Sequence, residues 1–204
     1  MVSVDPIEHL DPPRFQQARV TLGRAFFDYP LMVYALANDG RRAPAVTHLY
    51  GAILWDSFRW GEVHVTPEIT AVCAWLPPER SMPTFWRQAR AGMLQLPLRF
   101  GLGGFRKLLV YDEVAQRLHH DHAPMPHYYL SAIGVAPERQ GQGLGSAVMQ
   151  PMLARADEQK RHCWLDTHRP ENVRLYERHG FRVAQLVEPP GHPVPVWGML
   201  RTPR

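Results

Sequence analysis

The segment Gln140-Gly-Gln-Gly-Leu-Gly-Ser146 sets three glycines, at 141, 143 and 145, just before an apolar-periodic stretch. Glycines leave backbone N–H groups unshielded, and the first amides of a helix have no acceptor within it. With the positive end of the helix dipole they form a site for an anion, typically a phosphate. Two familiar nucleotide motifs do not fit. A P-loop ends in Gly-Lys-Ser/Thr, and this turn ends in Gly-Ser with no lysine. A dinucleotide turn reads G-x-G-x-x-G near the start of a long doubly wound domain; here the spacing is G-x-G-x-G, late in the chain. Taken alone, the glycines also suit a tight strand-to-helix turn without a ligand.

A second set lies downstream. Asn172 and Tyr176 are four apart, on one face of a short helix, with Gly180 placed as its C-cap and Phe181 opening a strand. A tyrosine hydroxyl is a proton donor at neutral pH, and the same spacing also suits a plain core tyrosine. Neither Cys73 nor Cys163 has surroundings that suggest a nucleophile. The cluster His119-His-Asp-His122 reads as a proline-bounded loop: neighbouring histidines do not share a helix face, and no second ligand group stands nearby. No metal site is expected.

These residues need elements to hold them. Asp11-Pro-Pro opens a helical stretch to Phe26, Tyr29-Pro30 breaks it, and Leu31–Leu36 forms a second apolar piece. Asn38-Asp-Gly-Arg-Arg reads as a polar loop, followed by a helix with Pro44 in its first turn. Glu62–Val65 and Ile69–Leu76 read as an antiparallel strand pair. Between Pro77 and Pro126 lie helix-like pieces near 84–95 and 105–119, with a break at Gly101-x-Gly-Gly. Tyr128–Val135 is a buried strand, the glycine turn leads into a helix to about Lys160, and His162–Thr167, Glu171–His179, Phe181–Val187 and Val194–Leu200 alternate strand, helix, strand, strand. Pro151, inside the turn's helix, should bend it locally. The order predicts a single α/β layered domain.

Composition narrows the field. The 204 residues, 45% hydrophobic and 21% charged, are ordinary globular usage, which excludes disorder and fibre. Two cysteines cannot make a disulfide framework, so a reducing compartment is expected. No stretch approaches a membrane span and no secretory signal stands at the start, so the expectation is a cytoplasmic protein without membrane contact. The net charge of +4 comes almost wholly from scattered arginines, without the basic-aromatic clusters of a nucleic-acid binder.

Val135-Ala-Pro137-Glu-Arg-Gln140-Gly141-Gln-Gly143-Leu-Gly145 together with Asn172-x-x-x-Tyr176-x-x-x-Gly180-Phe181 resembles the GNAT superfamily of N-acetyltransferases. The segments Ala25–Pro30, Val72–Trp75, Gly141–Val148 and Leu175–Phe181 look most like the puromycin N-acetyltransferase type, while 77–126 matches loosely. The resemblance implies a GNAT-like domain over 1–204, with a mixed, largely antiparallel sheet splayed at the cofactor site and helices on both faces. Residues 1–126 would form the acceptor side and 127–204 the acetyl-CoA side. It implies acetyl-CoA as co-substrate, its pyrophosphate on the amides of Gln140, Gly141, Gln142, Gly143, Leu144, Gly145 and Ser146. The pantetheine arm would pair with Ile133, Gly134 and Val135, with a strand bulge at Gly134. Asn172 would bond the carrier and Tyr176 would protonate the departing thiolate.

By the same resemblance the acetyl group passes directly to a small-molecule amine, with Asp28, Tyr29 and Tyr34 as candidate acceptor contacts and room for a homodimer. A protein N-terminus or lysine as acceptor, or a non-catalytic acyl-CoA sensor, remain as alternatives. The general base is left open: Tyr128–Val135 holds no carboxylate, and Asp166 and His168 are either proton carriers through water or structural.

Overall fold

The computed structural model describes residues 6–37 and 39–204. In chain order the elements are β1 (Glu8–His9), α1 (Phe15–Ala25), α2 (Pro30–Ala35), α3 (Asp39–Trp60), β2 (Glu62–Val65), β3 (Ala71–Leu76), α4 (Phe85–Ala91), α5 (Leu96–His122), β4 (His127–Val135), α6 (Leu144–Glu158), β5 (His162–Thr167), α7 (Pro170–Arg178), β6 (Phe181–Val187) and β7 (Val196–Arg201). The strands form one sheet in the order β1-β2-β3-β4-β5-β7-β6. Among the described residues only β4 and β5 run parallel; every other neighbouring pair is antiparallel.

Side-chain alternation along β3 explains the layering. All six of its residues are buried. Val72 and Ala74 join the core under α1, α3 and α5, whereas Ala71, Cys73 and Trp75 join the core under α6 and α7. A strand covered on both faces is apolar throughout, as this one is. In α6 the buried positions Val148, Met149, Met152, Leu153 and Ala156 fall on one helical face, and the helix runs on through exposed Pro151. No helix among the described residues is long and apolar enough to cross a membrane.

The bulge lies elsewhere than expected. Ala74 pairs with Ala132 and Trp75 with Leu130, so Ser131 is the extra residue. The insertion reverses the strand: Leu130 faces the α6 core and Ala132, two positions on, faces the α1–α3 core. Ser131 Oγ donates to Ala74 O at 3.0 Å and stands 2.7 Å from Ser57 Oγ, which secures the bulge. Gly134 has a different task. A Cβ there would come within 2.9 Å of Ala25 Cβ and Leu22 Cδ2, so the missing side chain lets α1 lie against β4.

Two loop expectations give way to helix. α3 begins at Asp39 and absorbs Gly40, Arg41 and Arg42, while Asn38 lies outside the described residues. Buried Arg42 donates to the carbonyls of Leu36 and Ala37 and packs over Phe27 at 4.5 Å, which holds that first turn down. The His119–His122 cluster is the last turn of α5, not a loop. His119 stacks on Trp164 at 5.7 Å and its Nε2 stands 2.6 Å from His127 Nε2. Tertiary packing extends the helix past the point where its sequence weakens. The expected break at Gly101 is present as a kink inside α5, at φ 69°.

Candidate active site

Parallel pairing of β4 with β5 covers only His127↔His162, Tyr128↔Cys163 and Tyr129↔Trp164. Beyond Tyr129 the strands part and the edge of β4 is open. Ala136 N–H donates to Thr70 O at 2.8 Å on the β3 side. Hydrogen-bonding direction alternates along an antiparallel ladder, so Ile133 and Val135 turn their amides and carbonyls away from β3, into the opening. Consistent with this, Val135 O accepts from the Gln140 side-chain amide at 3.1 Å.

At the tip of the opening the chain makes a 3-10 turn over Pro137–Arg139 and enters α6. Gly141 and Gly143 have φ of 75° and 80°, backbone that L side chains rarely adopt. An added Cβ at either would meet nothing within 4 Å, so the turn needs these glycines for conformation and stays bare of covering atoms. Gly143 is the N-cap of α6, and no side chain caps the helix there. The first amides of α6 are therefore available to an anion. Ser146 Oγ pairs with His179 Nε2 at 2.8 Å, joining the helix start to the end of α7.

Between the strand opening and the helices of the other face lies a cavity of about 620 Å³. Tyr176 and Asn172 of α7, Ile133 of β4, and Asp166, Thr167 and His168 of β5 and its end line one side; α2, α3, α4 and α5 supply apolar walls. Tyr176 is buried, and burial pushes its phenol well above the usual range, so it keeps its proton at neutral pH. Tyr29 Oη stands 3.0 Å from Thr167 Oγ1 and accepts from His168 N–H at 2.7 Å. Thr167 Oγ1 in turn accepts from Asn172 Nδ2 at 3.2 Å, so the Asn172 side chain is oriented through Thr167. Burial pushes the Asp166 carboxyl up to about 6; the hydrogen bond that Tyr129 donates to Oδ1 at 3.0 Å lowers it, and the charge of Asp112 raises it. Burial holds His168 down at about 4, so its ring is neutral, and its buried Nε2 has no partner among the described residues.

Of the candidate acceptor contacts, only Tyr29 lines the cavity. Asp28 lies outside the lining; its carboxylate is exposed, 3.6 Å from Arg42. Tyr34 stands behind the wall, bonded to His192 Nδ1 at 3.2 Å and edge-on to Tyr111, which does line it. Asp112 and Tyr129 carried no mark in the sequence: one reads as a helix-surface acid, the other as part of a buried strand. Of the metal-type side chains, His9, Glu62 and His64 come within 4.8 Å of one another on β1 and β2, with Arg155 already paired to Glu62.

The sheet is thus opened at its parallel pair, beside a helix start that no side chain caps. Residues 53–181 match the acetyltransferase (GNAT) family, and the chain belongs to it. The protein is thus an N-acetyltransferase, of a family whose co-substrate is acetyl-CoA. An uncharacterized N-acetyltransferase of Schizosaccharomyces pombe is 24% identical over 181 residues, covering 85% of this chain and 72% of that one. Similar folds occur in a Corynebacterium glutamicum structure described as histone acetyltransferase HPA2 and related acetyltransferase (TM-score 0.71, 19% identity, 97% and 96% of the two chains). Arylalkylamine N-acetyltransferase 2 of Aedes aegypti is also similar in fold (TM-score 0.70, 13% identity, 98% and 99%).

Proposed function

We propose that the protein transfers an acetyl group directly from acetyl-CoA to the amine of a small molecule, both bound at once. The observation that carries this reading is the continuity of one cavity, from Asn172 and Tyr176 beside the strand opening to the apolar walls of α4 and α5. The resemblance of 25–30, 72–75, 141–148 and 175–181 to puromycin-type enzymes supports a small acceptor, as does the arylalkylamine enzyme among the similar folds.

The residues present fit the carrier: a turn clear of side chains at Gly141 and Gly143, and a strand edge with outward amides at Ile133 and Val135. When bound, acetyl-CoA supplies the activated acetyl thioester. The amides from Gln140 to Ser146 hold its pyrophosphate, and the edge of Ile133–Val135 pairs with its pantetheine arm. The Val135 N–H polarises the thioester carbonyl, a role that needs no side chain. Asn172, set by Thr167, orients the carrier near the reacting end. Tyr176 donates its proton to the departing sulfur, and general acid help of this kind is worth ~100- to 10,000-fold. Residues 127–204 form the carrier half and 1–126 the acceptor half of one domain.

Thiol release from acetyl-CoA against a panel of small amines and peptides tests the reading. Turnover with small amines is expected. Release with peptides alone would replace the acceptor class, and none with any amine, despite acetyl-CoA raising the melting temperature, would leave a sensor.

A further inference from the structure

The cavity's charge balance points to its acceptor. Three carboxylates line it, Asp56, Asp112 and Asp166, and among the described residues no lysine or arginine does. Asp56 is already neutralised by Arg87, which donates to both of its oxygens. Among the described residues Asp112 and Asp166 have no cationic partner: Asp112 accepts from Gln116 and Asp166 from Tyr129. Asp166, half-buried in this apolar cavity, lacks a counter-charge, which a ligand cation would supply, and Asp112, exposed to solvent among the lining residues, adds a second negative charge. A third polar atom, His168 Nε2, is buried on the same wall without a partner. Beyond them the surface is mostly apolar, and its lining includes large hydrophobic side chains that stand exposed: Phe85 at 64%, Leu94 at 64% and Leu109 at 48%.

Resting on the reading of this site as the acceptor pocket, we infer that the substrate is a hydrophobic monoamine. Its single ammonium is held at Asp166 and Asp112, its apolar body lies against α4 and α5, and Asp166 is the base that frees the nitrogen. The proton balance follows. The ammonium nitrogen gives one proton to Asp166, which passes it to solvent, and the resulting lone pair forms the C–N bond as the C–S bond breaks. The second proton lost by nitrogen balances the one that Tyr176 gives to sulfur. A carboxyl titrating near 6 is ionised at neutral pH yet basic enough to accept that proton. A polyamine would leave its remaining charges against the apolar wall, at high desolvation cost.

The test compares n-butyl-, n-hexyl- and n-octylamine, 2-phenylethylamine and spermidine, by steady-state kinetics and by calorimetric binding without acetyl-CoA. kcat/KM should rise about three- to fourfold per methylene until the cavity is filled, with spermidine at least about tenfold below hexylamine. Asp166→Asn should remove the rise of kcat/KM through pH 6 and lower it at least about a hundredfold at pH 7.5. Asp112→Asn should weaken hexylamine binding without changing the KM for acetyl-CoA, and it keeps the idea testable should Asp166→Asn not fold. A flat chain-length series, a preference for spermidine, or a pH profile unchanged in Asp166→Asn overturns the inference. If acetyl-CoA fails to raise the melting temperature, it is the reading of the site that fails; if it does and the series is flat, only the acceptor class falls.

Discussion

Tyr29 Oη stands 3.0 Å from Thr167 Oγ1, so the residue just before α2 closes onto the C-terminal end of β5. The same hydroxyl receives the His168 amide, and through Thr167 it reaches Asn172. One phenol thus ties the start of α2 to the end of β5, the strand that parts from β4. Tyr29→Phe leaves the buried His168 N–H unpaired and should cost ~1–3 kcal/mol in urea unfolding. A variant as stable as the parent would mean that the bond contributes nothing.

Tyr176→Phe removes the phenolic proton and keeps the packing against Phe181, 5.8 Å away between ring centres. Turnover should fall at least about tenfold while acetyl-CoA affinity is nearly unchanged. An undiminished kcat would take the acid role from this residue.

Gly143→Val places a β-branched side chain at φ 80°, where no neighbouring atom would clash but the backbone is strained. The chain should fold, and the rise in melting temperature given by acetyl-CoA to the parent should be lost. A folded variant that still shows the full rise would remove the phosphate cradle from this turn.

Acid should destabilise the protein well above the carboxylate range. His119 is held down to about 3 by burial and by His127, and His127 is lowered by burial; its Nδ1 donates to Pro124 O, which leaves Nε2 to face His119. The fold therefore keeps both rings neutral, while the unfolded chain protonates them near 6.5. Their stabilising contribution is complete above pH 6.5 and is lost as pH falls from there toward 3. Urea midpoints at pH 7, 6 and 5 should decline in that order, and the decline should be shallower in His119→Phe.

The turn between β4 and α6 could be read from sequence because its shape is set by backbone, and the glycines and Pro137 that form it announce themselves by residue type. The strands from His127 onward were equally plain, being short apolar runs between turn residues. The bulge was misplaced at Gly134 because a glycine in a strand answers two needs, a kink or a close neighbour, and only the packing of Leu22 and Ala25 distinguishes them. Ser131, the actual insertion, looks like any polar interruption. The wall formed by α4, α5 and the turn between them was opaque for a related reason: Phe85, Leu94 and Leu109 come from three separate pieces of chain and line a cavity rather than a core, so no single helical stripe joins them. Asp112 is unremarkable until the fold places it among the residues that line the same cavity as Asp166.

The three-residue pairing of β4 with β5 has a dynamic corollary. With the groove free of ligand, Ile133 and Val135 turn their amides into the opening while Ala132 and Gly134, alternating with them, are locked to the neighbouring strand. Deuterium uptake along this stretch would alternate residue by residue, fast then slow, a two-beat rhythm that a bound carrier would silence.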